Sequence, residues 1–149
     1  VAIDRFNAAD YVVQRDRIKA LADHWKVSSI VAETNAMGVP NIEMLERDGL
    51  PVQRFTTTAQ SKRPLIEGLA QAFELGTIKI LNDAVQISEL EAYERKVSPI
   101  TGASTYSAPD GMHDDTVISL ALAFYGVNNR NTLTFGDAPE GLNAFFFGT

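Results

Sequence analysis

The stretch "PDGMHDDTVISLALAFYGV" (109–127) decides how the rest of the chain is read. It opens as a loop at Pro109 and Gly111, meets His113, Asp114 and Asp115, and passes at once into an almost wholly apolar run. Val117, Leu120, Ala121 and Phe124 share one helical face, and Ile118, Leu122 and Tyr125 line the next. A helix that is apolar nearly all round belongs inside a core. Asp114 stands one turn before Val117 and Asp115 one turn before Ile118, so both acids are carried to the N-terminal edge of that core. Acids in a first helical turn complement the dipole and cap free N–H groups, for about 0.3–1 kcal/mol each. One acid meets that need. Two adjacent acids repel each other unless a cation is present, which leaves capping and metal binding both open for this pair.

Working outward, elements of both kinds alternate. "VAIDRF" (1–6) reads as a strand, and 10–25 as a helix with Ile18, Leu21, Ala22 and Trp25 on one face. "SSIVAE" (28–33) is a short buried strand and "TNAMGVP" a loop. "NIEMLERDG" is a short helix that Gly49 can end. "PVQRFT" (51–56) is a strand. "TTAQSKRPLIEGLAQAFELG" is a helix striped by Ile66, Leu69, Ala70 and Phe73, with Gly76 at its stop. "TIKIL" (77–81) reads as a strand, Asp83 and Gln86 have capping-box spacing before the next helix, and "KVSP" and "STYSAP" flank "ITG" as a hairpin. Alternation of this kind predicts an α/β sheet with parallel members. No repeat or linker interrupts it, so 1–149 reads as a single domain with an irregular tail over 127–149.

Composition narrows the function classes. With 45% hydrophobic and 21% charged residues the chain is ordinary for a globular protein. No apolar run approaches the roughly 20 residues that span a membrane. The first residues show no basic region followed by an apolar one, as a signal peptide would. The chain has no cysteine, which excludes disulfides, thiolate zinc sites and cysteine nucleophiles. Its net charge of −6 argues against a simple nucleic-acid coat, although an acidic nuclease can still gather its basic residues on one face. There is no phosphate-cradling loop of the ATPase type.

Two further segments carry chemistry. Glu33 ends a strand just before the Gly-bearing "TNAMG". Ligands of open α/β sheets bind beyond such carboxyl ends, although a glutamate can also simply end a strand there. Oxygen-only donors suit Mg²⁺ or Mn²⁺ better than zinc, and such ions in pairs serve phosphodiester chemistry. His113 either orients a ligand or caps the helix. In "RFTTTAQSKR" (54–63), Arg54, Lys62 and Arg63 bring charge and Thr56, Thr57, Thr58 and Ser61 bring hydroxyls. Cations in a first helical turn oppose the dipole, so a phosphate contact would explain them. A solvated basic patch is the alternative.

Three segments, "IVAETNAMG", "FTTTAQSKRPLIEGLAQAFELGTIKI" and "YSAPDGMHDDTVISLALA", stand in an order and spacing that resemble the C-terminal nuclease domain of the large terminase subunit of tailed bacteriophages. The intervening "LNDAVQISELEAYERKVSPITG" fits too, and the resemblance covers roughly 1–126. It implies an RNase H-like mixed sheet flanked by helices. It further implies a metal-dependent DNA endonuclease that cuts concatemeric viral DNA during genome packaging by two-metal phosphodiester hydrolysis, with Mg²⁺ or Mn²⁺. It places catalytic and metal-binding roles on Glu33, Asp114 and Asp115, with Asp114 favoured over its neighbour. Lys62 matches a basic position, and Arg63 and Arg54 join it as DNA-binding candidates. The implied partners are double-stranded DNA, the terminase ATPase domain, the small terminase subunit and the portal protein, in the cytoplasm of an infected or lysogenic bacterial host.

One departure from the family stands out. Its first strand carries a metal-binding aspartate, whereas "VAIDRFNAADYVVQRDRI" resembles the third strand leading into the first helix. Asp4 and Asp10 are only nominal substitutes, and the chain reads as a fragment that lacks that strand and the ATPase motor. Two other readings follow: a Holliday-junction resolvase or other RNase H-like nuclease, and a catalytically silent module that binds DNA or a portal protein.

Overall fold

The computed structural model describes residues 2–5 and 10–130, apart from the side chains of Ala36 and Arg130. Helix α1 (Tyr11–Trp25) starts where Asp10 accepts a hydrogen bond from the Val12 N–H at 2.8 Å, and it buries Ile18 and Ala22. Strand β1 (Ile30–Glu33) follows. Ile30, Val31 and Ala32 are all buried. Successive strand residues face opposite sides, and here Ile30 joins one apolar cluster with Ile18, Ala22 and Leu45 while Val31 joins another. A strand buried on both faces is the pattern of parallel pairing. Strand β2 (Val52–Phe55) pairs parallel to β1, with Ile30 opposite Val52 and Glu33 opposite Phe55.

Between these strands the chain is more helical than its sequence suggests. The segment read as a loop forms a single turn, α2 (Thr34–Met37), and then enters α3 (Val39–Arg47). Gly38, at φ +78°, separates them, a conformation that glycine adopts without strain. Pro40 sits in the first turn of α3, where a missing N–H leaves no hydrogen bond unmade.

Helix α4 (Ala59–Glu74) buries Leu65, Ile66, Leu69 and Ala72. "TIKIL" then forms no strand. Thr77 turns back to bond the Ala72 carbonyl through both its N–H and its hydroxyl, and Ile78 packs against the core without pairing. Helix α5 (Ala84–Ala92) is capped by Asp83, whose Oδ1 accepts from the Val85 and Gln86 N–H groups. The hairpin forms as expected, although it begins earlier: β3 (Glu94–Val97) pairs antiparallel with β4 (Ser104–Ser107). Parallel and antiparallel pairing therefore both occur, but in two separate two-stranded sheets among the described residues.

Helix α6 (Asp115–Arg130) closes the core. Val117, Ile118, Ala121 and Leu122 pack with Val31 and with Leu65, Ile66 and Leu69 of α4. The approach to β1 is so close that a Cβ built on Gly126 would lie 2.7 Å from Val31 Cγ2. The helix continues through Arg130, past the expected start of an irregular tail at 127, and 131–149 lie outside the described residues. Residues 2–5 form no strand. Asp4 instead pairs with the Arg17 guanidinium, which lays this segment on α1.

Candidate functional site

The carboxyl ends of β1 and β2 and the start of α4 meet at one end of the molecule. Immediately after Glu33, the Thr34 hydroxyl donates to the Phe55 carbonyl at 3.3 Å and meets the Thr56 hydroxyl at 3.0 Å. Asn35 Nδ2 donates to the Thr57 carbonyl at 2.8 Å. One residue later Thr58 caps α4. Its Oγ1 accepts from the Ser61 N–H at 3.1 Å, and Ser61 Oγ accepts from the Thr58 N–H at 2.8 Å. The hydroxyls of Thr56, Thr58 and Ser61 thus have structural work, whereas the Thr57 hydroxyl is buried without a hydrogen-bond partner, and the capping box already serves donors at the start of α4.

Lys62, in the first turn of α4, reaches across to the mouth of α6. Its Nζ lies 3.1 Å from Asp114 Oδ2, with 23% and 29% of the two side chains exposed. The same ammonium stands 5.7 Å from the centre of the Tyr93 ring. Burial alone would push Lys62 down. The Tyr93 phenol and the Asp114 carboxylate outweigh it and hold the ammonium above the usual lysine value. The residues after Glu33, the start of α4 and Asp114 are in this way linked.

The two acids of the "HDD" turn sit differently. Asp114 faces Lys62. Asp115 is pushed above the ordinary aspartate value, first by burial and then by the charge of Glu89, with Asp114 adding to the rise and His113 and Arg5 opposing it. Glu89, on α5, is buried. Its Oε2 accepts from the Thr116 N–H at 2.8 Å and from the Thr116 hydroxyl at 2.5 Å. His113 is exposed.

The other candidates are accounted for by nearby carboxylates. Arg54 makes a two-pronged pair with Glu46, at 2.8 and 2.6 Å. Arg63 pairs with Glu67 one turn along α4 at 2.9 Å, and Glu67 also accepts from the Tyr106 hydroxyl at 2.8 Å. Asp10 caps α1 and Asp4 holds Arg17, so both nominal substitutes for a first-strand aspartate have structural partners.

The donor chemistry at this end fits a hard divalent cation. The candidate ligands are carboxylates, and Asp114 already holds a positive group. Among the described residues, however, no three His, Cys, Asp or Glu side chains are gathered closely enough to hold a metal ion. The contacts run from the residues after Glu33 through the start of α4 to Asp114, and Glu33, Asp114 and Asp115 form no closed cage among the described residues.

Sequence reading missed Glu89 and Tyr93. Glu89 lies three residues after Gln86 on the same face of α5, and both are buried. Nothing in "AVQISELEA" distinguishes a buried acid from a solvated one.

A terminase RNaseH-like domain family model matches residues 1–125. The large terminase subunit of Thermus virus P23-45 is 30% identical over 141 residues, covering 94% of this chain and 29% of its own length. That of Thermus phage G20c is 30% identical over 139 residues, covering 93% and 28%. The chain therefore spans under a third of these curated relatives. Among solved structures, the large terminase nuclease from thermophilic phage G20c matches with a TM-score of 0.72 at 30% identity, over 80% of this chain and 64% of that one, and the same values hold for its magnesium-bound form. The large terminase nuclease domain of Thermus phage P74-26 matches with a TM-score of 0.70 at 29% identity, over 80% and 61%. With the family model covering most of its length and the nuclease fold matched in space, this chain belongs to the terminase RNaseH-like domain family, the nuclease domains of phage large terminase subunits.

Proposed function

We propose that this chain is a metal-dependent endodeoxyribonuclease domain of a phage large terminase, which cuts concatemeric double-stranded viral DNA during genome packaging in the bacterial host. The observation that carries the reading is the Lys62–Asp114 pair at the mouth of α6, with the start of α4 bonded in turn to the residues that follow Glu33. Magnesium binding by a relative with this fold supports it. In this reading Glu33, Asp114 and Asp115 hold Mg²⁺ or Mn²⁺. Such ions, when bound by these carboxylates, would supply Lewis-acid activation of water and charge stabilisation at the phosphodiester. The chain's own part is to fix the acids on rigid elements and bring the phosphate to them. Lys62, once off Asp114, offers its ammonium to the DNA backbone, with Arg63 and Arg54 as further contacts. The ATPase domain, small subunit and portal are the expected partners of the whole protein.

The test is nicking of supercoiled plasmid by the 149-residue chain with Mn²⁺, with Mg²⁺ and with EDTA. Weak metal-dependent nicking is expected, since the family's first-strand aspartate has no match in this sequence, and alanine at Glu33 or Asp114 should slow it at least about hundredfold, the loss that accompanies several kcal/mol of charge stabilisation. DNA binding without metal-dependent nicking would overturn it. That second reading, a silent DNA- or portal-binding module, has its sequence ground in the unmatched first-strand aspartate.

A further inference from the structure

The N-terminus of α6 is capped from outside its own segment. The Ile118 N–H donates to the Asp114 carbonyl at 2.9 Å, which makes Asp114 the cap residue of this helix. A cap aspartate ordinarily turns its carboxylate onto the N–H two or three residues on. Here the Thr116 N–H goes to Glu89 Oε2 at 2.8 Å, the Thr116 hydroxyl goes to the same oxygen at 2.5 Å, and Asp114 Oδ2 faces Lys62 instead.

We infer that Glu89 is a positioning residue for the acidic turn: by capping α6 from α5, it leaves the Asp114 carboxylate free to face Lys62 and any cation bound there. The geometry supports this in two ways. Glu89 and Thr116 are 6% and 4% exposed. A carboxylate taken out of water needs such hydrogen bonds to be tolerated, and charge-assisted bonds at a helix N-terminus are strong ones. The link also ties α5 to α6 where the acids leave the loop, so it fixes the helix start that sets the direction of Asp114. Without the external acceptor, the nearest replacement cap for the Thr116 N–H is Asp114 itself, which would draw this carboxylate away from Lys62.

The inference rests on the proposed metal site, and its test separates the two. The 149-residue chain is compared with E89Q, which keeps an acceptor oxygen; with E89L, which removes it at similar volume; and with T116V, which removes only the hydroxyl bond. Folding is followed by circular dichroism, Mn²⁺ affinity by water-proton relaxation, and the Asp114 carboxyl carbon and Thr116 amide by NMR. E89Q should bind Mn²⁺ within about threefold of the parent. E89L should lose about tenfold or more, the range seen when partners behind metal ligands are removed. In E89L without metal, the Asp114 carbon and Thr116 amide signals should move together as Asp114 takes over the cap. T116V, whose backbone bond survives, should shift the same signals part of the way. Failure of the parent chain to bind Mn²⁺ would sink the metal reading, while the metal-free signals still decide the capping role. Wild-type Asp114 signals in folded E89L, or in T116V should E89L not fold, would overturn the inference.

Discussion

The Lys62 ammonium lies 3.1 Å from the Asp114 carboxylate, joining the first turn of α4 to the mouth of α6 across 52 positions of sequence. This contact answers the puzzle of two adjacent acids in part. One acid is neutralised by a protein cation, and the other is held partly out of water, with its proton favoured by burial. It also accounts for a lysine in a first helical turn, where a positive charge opposes the dipole.

Lys62→Ala should make divalent cations more stabilising. Both side chains are still partly exposed, so removing the pair costs about 0.2–1 kcal/mol in EDTA. Mn²⁺ should then raise the melting temperature of the variant more than that of the parent, because its competitor at Asp114 is gone. Equal shifts in both proteins would show that Lys62 and the metal do not compete.

DNA binding gives a separate check on the basic residues. If Lys62 and Arg63 touch phosphates, the double alanine variant should flatten the dependence of log affinity on log salt by about 0.9 for each phosphate no longer neutralised. Arg54, held by both Glu46 oxygens, should contribute less to that slope. Fluorescence anisotropy over a salt series measures it, and an unchanged slope in the double variant removes both residues from the DNA interface.

Glu67 should make stability pH-dependent. The Tyr106 hydroxyl and then Arg63 hold its carboxyl below the ordinary value of 4.5. A carboxylate with a lowered value in the folded state adds stability above the unfolded value and loses it as the pH falls through the folded one. Glu67→Gln should therefore melt earlier than the parent at pH 7, and the gap should close as the pH drops below 4.5. A gap of the same size at pH 7 and pH 3 would mean the ion pair contributes nothing.

Two helical glycines should respond in opposite directions. Alanine at Gly126 drives a methyl toward Val31, a stiff, buried side chain. Overpacking costs about 1–3 kcal/mol against about 1 kcal/mol gained in helix propensity, so a net loss of up to about 2 kcal/mol is expected. Gly68 has open space around its Cβ position, and Gly68→Ala should gain about 0.5–1 kcal/mol. Urea melts of both variants would check this, and stabilisation by Gly126→Ala would contradict the packing of α6 on β1.

The periodic elements were legible in the sequence because their patterns are local. The α6 stripe, the Gly76 and Gly49 stops, the Asp83 cap and the hairpin around "ITG" depend on neighbours within a few residues. So do the three segments that carry the family resemblance, whose order and spacing are properties of the chain alone. "TIKIL" failed for the opposite reason: an apolar, β-branched run becomes a strand only where a partner edge is offered, and at 77–81 the chain instead folds back on α4.

What only the tertiary structure decided is where each charge finds its partner. Arg54, Lys62 and Arg63 look alike in "RFTTTAQSKR", yet one meets Glu46, one meets Asp114 from the far end of the chain, and one meets Glu67 a turn away. Asp114 and Asp115 are neighbours that differ because one meets Lys62 while the other is partly buried beside Glu89. Electrostatic partnership depends on distance in space and on burial, and a linear pattern carries neither.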